Sequence, residues 1–187
     1  MSLFIHSKFP STLKRGFFLI LNLIFINFSS SYFSNSYDST SVPFLQQDGS
    51  YILVNKTSKR VISNAAFEFI GKFQEGIAFY EKNGKYGFIH ESGKLITEAK
   101  YNEVGQFHEG FARVSSKNKF GFINIKGENL TSEIYDNCGD FKEGMACVKH
   151  GKKWGYLDIK GNLIIDFIYD DAGNFHEGLA NVKVSGL

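Results

Sequence analysis

From Phe73 onward the chain alternates apolar and polar positions in short bursts. In Phe111-Ala112-Arg113-Val114, Met145-Ala146-Cys147-Val148 and Leu179-Ala180-Asn181-Val182, the Ala and Val share one face while Arg113, Cys147 and Asn181 share the other. That two-residue period predicts a β-strand with one buried face. A turn follows each burst. Asn83-Gly84 is the strongest, since this dipeptide supplies the two φ > 0 residues of a type I′ hairpin; Lys117-Asn118 and Gly151-Lys152 hold the same place. A second strand then alternates aromatic with small or aliphatic residues: Phe120 and Phe122 point one way, Gly121, Ile123 and Ile125 the other. Trp154 and Tyr156 likewise oppose Gly155, Leu157 and Ile159. Turns at Gly93, Gly127 and Gly161 lead to a short third strand, Leu95-Ile96 or Leu163-Ile164-Ile165. Helix is disfavoured, because glycine recurs and no twelve-residue run has a 3.6-residue period.

These bursts are copies of one unit with a period of 34 residues. Phe73, Phe107, Phe141 and Phe175 each open F-x-E-G, which places Glu75-Gly76, Glu109-Gly110, Glu143-Gly144 and Glu177-Gly178 in register, followed by Ala78, Ala112, Ala146 and Ala180. Further on come Lys85-Tyr86-Gly87-Phe88-Ile89, Lys119-Phe120-Gly121-Phe122-Ile123 and Lys153-Trp154-Gly155-Tyr156-Leu157, then Tyr101, Tyr135 and Tyr169. Residues 51–72 are a degraded partial copy, with Val61-Ile62 matching Leu95-Ile96 and Phe67 matching Tyr101. The repeat domain is thus 51–187, divided as 51–72 (partial), 73–106, 107–140, 141–174 and 175–187 (partial). The expected architecture is all-β, with tandem hairpin units of about three short strands in an open curved or solenoid-like array, each burying apolar surface on its neighbour. A propeller-like arrangement is the alternative, although propeller blades usually take about 40 residues and four strands.

The motif resembles that of the WG-repeat (KWG-repeat) family, whose hallmark is F-x-E-G-L-A, then K-W-G-[FY]-[IL]-D and a G-K turn. The best match is Phe141 to Ile164, FKEGMACVKHGKKWGYLDIKGNLI. The hallmark Trp is Tyr86 and Phe120 in the first two full copies, and the hallmark Asp is His90 and Asn124, surviving only as Asp158. The first position therefore wants an aromatic ring rather than an indole, and the Asp has no indispensable chemistry. The resemblance implies a bacterial, β-rich repeat protein without a known catalytic centre.

The N-terminus reads differently. Lys14 and Arg15 precede the 13-residue apolar run Gly16–Phe28, and Ser29, Ser30 and Ser31 follow, which is the order of a secretory signal peptide over residues 1–31. As a helix the run would span about 20 Å, short of the roughly 30 Å of a bilayer's hydrocarbon core. No stable membrane span is expected after processing; uncleaved, the segment would be an N-terminal anchor. Seven Ser in the thirteen residues 29–41 make 32–50 read as a flexible tether. The expected location is outside the cytoplasm: periplasmic, cell-surface or secreted.

Charge excludes one class of partner. The formal net charge is +2, and residues 1–31 hold Lys8, Lys14 and Arg15 with no acid, so the repeats are close to neutral and lack a nucleic-acid footprint. The Glu of F-x-E-G, one per copy before a glycine, reads as a turn-stabilising acceptor rather than an acid catalyst. His90, His108, His150 and His176 read as solvated, with no spacing that sets a metal site. Cys138 and Cys147 could bridge in an oxidising compartment or stay as two thiols. A Cys147/His150 nucleophile pair has no third group or oxyanion donor in evidence. Neither a catalytic, a cofactor nor a metal site is assigned.

The feature that could bind something is the aromatic row Tyr86, Phe88, Phe120, Phe122, Trp154 and Tyr156. Stacked repeats would align it into a protein or glycan groove; buried, it would be a second core. The sequence thus supports an exported, non-enzymatic scaffold that binds another protein, with a glycan-binding envelope module as the alternative.

Overall fold

In a computed structural model, residues 40–184 are described, and they belong to one compact unit. The signal-peptide reading of 1–31 and the first part of the tether lie outside the described residues.

Three sheets share one plan. The second sheet runs β4 (Phe69–Ile70), β5 (Ile77–Lys82), β6 (Lys85–His90), β7 (Leu95–Tyr101). The third is β8 (Glu103–Val104), β9 (Phe111–Ser116), β10 (Lys119–Asn124), β11 (Asn129–Tyr135), and the fourth β12 (Asn137–Cys138), β13 (Met145–His150), β14 (Lys153–Asp158), β15 (Leu163–Tyr169). All pairing is antiparallel between chain neighbours. The first sheet has three strands, β1 (Ser41–Leu45), β2 (Tyr51–Asn55) and β3 (Val61–Phe67), and the last has two, β16 (Asp171–Ala172) and β17 (Val182–Lys183). Among the described residues no strand pairing joins the first sheet to the last, so the array is open.

Three details depart from the sequence pattern. Each full unit has four strands, because a two-residue strand precedes F-x-E-G and is too short to show a period. The strand expected at Leu95-Ile96 runs on for seven residues to Tyr101. Residues 41–50, read as tether, form β1 and its turn: Val42 and Phe44 pair with Val54 and Ile52, and Val42, Ile52 and Val54 are buried together with Phe44 packed on them. Pro43, which cannot donate to a ladder, sits on the edge strand.

The sheets are buried on both faces rather than one. Leu53 and Phe67 of the first sheet pack on Ile70, Phe73, Ala78, Tyr80 and Ile89 of the second. The opposite face of the second, with Ile77, Phe88 and Tyr101, packs on Phe107, Ala112, Val114 and Ile123 of the third. Phe122 and Tyr135 repeat this against Cys138, Phe141, Ala146, Val148 and Leu157. Adjacent residues such as Phe122 and Ile123 are therefore both fully buried, each in a different core. The F-x-E-G phenylalanine sits edge-on to an inner ring of the preceding unit: Phe107 on Phe88 at 5.1 Å, Phe141 on Phe122 at 5.0 Å, Phe175 on Tyr156 at 5.1 Å. Such a pair contributes about 1 kcal/mol beyond area burial, which explains why both positions stay aromatic in every full copy.

The glycine between the two aromatics has a steric cause. At Gly155 a Cβ would lie 2.4 Å from the Ile165 carbonyl oxygen, because β15 bulges between the Trp154–Tyr169 and Tyr156–Ile165 pairs.

Candidate functional site

The motif glutamates form a ladder. Glu75 and Gly76 occupy positive φ, 53° and 75°, as do Glu109-Gly110, Glu143-Gly144 and Glu177-Gly178. Each pair makes a two-residue turn closed by reciprocal backbone bonds, such as Gln74 with Ile77. Left-handed backbone at successive residues turns both N–H groups outward, an anion-binding nest. The anion is supplied by the preceding repeat: Glu75 Oε1 and Oε2 accept the N–H groups of Glu109 and Gly110, each at 2.8 Å. Glu109 does the same for Glu143 and Gly144 at 2.7 and 2.8 Å, and Glu143 for Glu177 and Gly178 at 2.6 and 2.7 Å. The carboxylate thus stabilises a turn 34 residues away, not its own.

The hallmark Asp position caps the turn that follows it. Asp158 Oδ1 accepts from the Lys160 and Asn162 N–H groups at 2.9 and 2.8 Å. Partial desolvation opposes ionisation there, but the bonds from Asn162 and Lys160 outweigh it and hold the carboxyl below its ordinary value. Asn124 accepts from Lys126 and Glu128, and His90 Nδ1 from the Ser92 N–H at 3.1 Å. Any side-chain acceptor of suitable reach serves.

The aromatic row divides in two. Phe88, Phe122 and Tyr156 are at most 1% exposed and belong to the inter-sheet cores; the Tyr156 hydroxyl donates to the Gly173 carbonyl at 2.8 Å, and burial pushes its pKa up to about 12. Tyr86, Phe120 and Trp154 at the strand starts are half-buried. The six residues are therefore not one continuous groove. Lys149, the cross-strand partner of Trp154, lies with its ammonium 5.9 Å from the indole centroid.

The cysteines are free and buried. Cys138 pairs with Val148, so Cys138 and Cys147 side chains leave adjacent strands on opposite faces, and no bridge can form. Burial raises both thiols, Cys138 to about 12. Cys147, expected to face out, is 3% exposed because the next unit covers it; its sulfur lies 3.5 Å from Asn174 Oδ1. His108 is not a free surface residue: Nδ1 meets the Gln74 amide at 3.0 Å and Nε2 lies 3.8 Å from Asp140, which also pairs with Arg113 at 3.3 Å. His176 is exposed. Among the described residues no three His, Cys, Asp or Glu side chains converge as metal ligands, and no helix is long and apolar enough to cross a membrane.

Sequence reasoning missed a cleft between the second and third sheets. A surface cavity of about 250 Å³ is lined by Phe79, Tyr86, Glu103 and Val104. Phe79 and Tyr86 meet edge to face, 6.0 Å apart and at 75°, and the ring chain continues through Phe69 to Tyr51 at 5.8 and 6.1 Å. The signal was present as a departure from the repeat: Phe79 stands where later copies have Arg113, Cys147 and Asn181.

Four WG-containing repeats match residues 53–86, 86–120, 120–154 and 154–187. The chain belongs to the WG-containing repeat family. The second, third and fourth WG repeats begin at the half-exposed rings Tyr86, Phe120 and Trp154, whereas the sheets break just before the two-residue strand, so each repeat spans two sheets. No curated protein matches the chain. Among solved structures, Kluyvelomyces marxianus Hsv2 is similar at 11% identity and TM-score 0.45, over 69% of this chain and 46% of that one. BamB from Moraxella catarrhalis is similar at 10% identity and TM-score 0.38, over 74% and 50%. The WD40 beta propeller domain of Doa1 is similar at 11% identity and TM-score 0.35, over 67% and 50%. The matched regions are thus about half the length of these structures.

Proposed function

We propose that the WG-repeat array is an exported, non-enzymatic scaffold that docks another protein. The division of the aromatic row carries this reading. With Phe88, Phe122 and Tyr156 in the cores, one ring of each pair in the row, Tyr86, Phe120 or Trp154, stays half-exposed on a frame held from both sides. Separate rings beside polar neighbours suit the anchor side chains of a protein partner, whereas a sugar platform needs open ring faces. Stacked repeats provide the extended surface for such docking. A non-enzymatic role is supported by Glu75, Glu109 and Glu143, whose oxygens are occupied by backbone N–H groups. Export is supported by Lys14-Arg15 and the apolar run after them.

A photoreactive residue at Phe120 in the exporting cell tests this, with the same probe at exposed Lys126 as control. A discrete protein adduct at Phe120 and not at Lys126 is expected. Equal labelling at both, or saturable binding of soluble cell-wall glycans that Trp154→Ala abolishes, would overturn it.

A further inference from the structure

We propose that the cleft between the second and third sheets binds an alkylammonium cation, the chemical class that includes a lysine side chain. This narrows the docking reading to one place and one chemistry, and rests on it. The rings of Phe79 and Tyr86, 6.0 Å apart and nearly perpendicular, form two walls of a cavity large enough for a substituted ammonium group. Ring faces attract cations through their quadrupoles, most strongly when part of the water shell is lost. A third wall carries Glu103, whose exposed carboxylate has neither a hydrogen bond nor an ion pair among the described residues.

The molecule itself shows what a strand-start ring accepts. In the fourth sheet Lys149 is the cross-strand partner of Trp154 and places its ammonium over the indole. The residue in that register in the second sheet is Glu81, partner of Tyr86. Cross-strand partners share a sheet face, so Tyr86 has a carboxylate where Trp154 has a cation. The next cleft along is filled from within: Arg113 replaces Phe79 and pairs with Asp140 at 3.3 Å. Between the second and third sheets two rings therefore meet the Glu103 carboxylate, and the cross-strand partner of Tyr86 is an acid where that of Trp154 is a lysine.

The test titrates the full ¹⁵N-labelled chain with tetramethylammonium and, separately, with neopentyl alcohol, its uncharged counterpart of similar shape. Saturable shifts at the Tyr86, Glu103 and Val104 amides are expected with the cation and not with the alcohol. Glu103→Gln, an exposed change that leaves the remaining spectrum in place, should weaken cation binding about 2- to 5-fold. Equal response to the alcohol, no saturable shift, or unchanged affinity in Glu103→Gln would overturn the proposal while leaving a docking role elsewhere on the array intact. Parallel titrations with Nα-acetyl-lysine amide and with choline separate the sources. Binding of the lysine derivative supports a protein partner, whereas binding of choline alone would keep the cation site and remove this cleft from the protein-docking surface.

Discussion

The carboxylate of Glu109 straddles the backbone of Glu143 and Gly144, taking one N–H on each oxygen at 2.7 and 2.8 Å. Two bonds to one charged acceptor from a preformed nest need no further ordering of the turn. Solvent exposure limits their worth. Glu109→Ala is expected to cost about 1 kcal/mol and to lower Tm by about 2–4 °C, with Glu109→Gln falling between. Glu177 accepts no backbone N–H among the described residues and is 85% exposed, so Glu177→Ala should leave Tm unchanged. Thermal denaturation of the three variants checks the ladder directly.

Gly155 and Gly151 are one turn apart in the chain yet should respond oppositely to a methyl group. A Cβ at Gly155 would lie 2.4 Å from the Ile165 carbonyl oxygen, with β15 backbone on that side, whereas one at Gly151 meets nothing within 4 Å and is strained only by φ of 62°. Gly155→Ala is expected to cost about 3 kcal/mol by forcing the bulge apart, and Gly151→Ala about 1 kcal/mol. Chemical denaturation midpoints distinguish them.

Buried acids set the alkaline limit. Cys138 and Tyr156 are each pushed up to about 12 by burial, and Tyr80, Tyr101 and Tyr135 are raised for the same reason. The unfolded chain releases these protons first. Their contribution is therefore fully present below about pH 9, where unfolded thiols begin to ionise, and is lost as pH rises through 9 toward 12. Stability should fall across that window, less steeply in Cys138→Ala. At pH 8 both thiols should resist alkylation until denaturant is added, as mass spectrometry of the labelled protein would show.

Trp154 is the sole tryptophan and is half-buried beside Lys149. Its emission should fall between that of a core indole and a free one, with partial quenching by acrylamide. Lys149→Ala should shift the emission to the red and raise the quenching constant, since the lysine stem and ammonium cover the ring. Core-like emission with no quenching would remove Trp154 from the accessible row.

The hairpins were legible because they are local: Asn83 and Gly84 adopt φ of 55° and 66°, as the dipeptide demands. Two-residue strands such as Phe69–Ile70 were not, being shorter than the period that would reveal them. Burial on both faces was hidden too, because Arg113 and Cys147 look outward-facing while their cover comes from the next unit, through Asp140 and Asn174. The glutamate's role as acceptor is local chemistry, but its partner lies one period on, which no turn propensity encodes. The row of rings could be found in the sequence; which ring of each pair is core could not, since that depends on the Phe107 and Phe141 rings seated against it.

A link that always joins residue i to residues i + 34 and i + 35 has no privileged member. In-frame gain or loss of one whole unit would leave every remaining carboxylate facing the kind of turn it faces now, whereas an insertion of any other length between two F-x-E-G motifs would misalign one rung. The ladder therefore makes 34 residues the natural quantum by which such a chain can lengthen or shorten across generations without relearning how to fold.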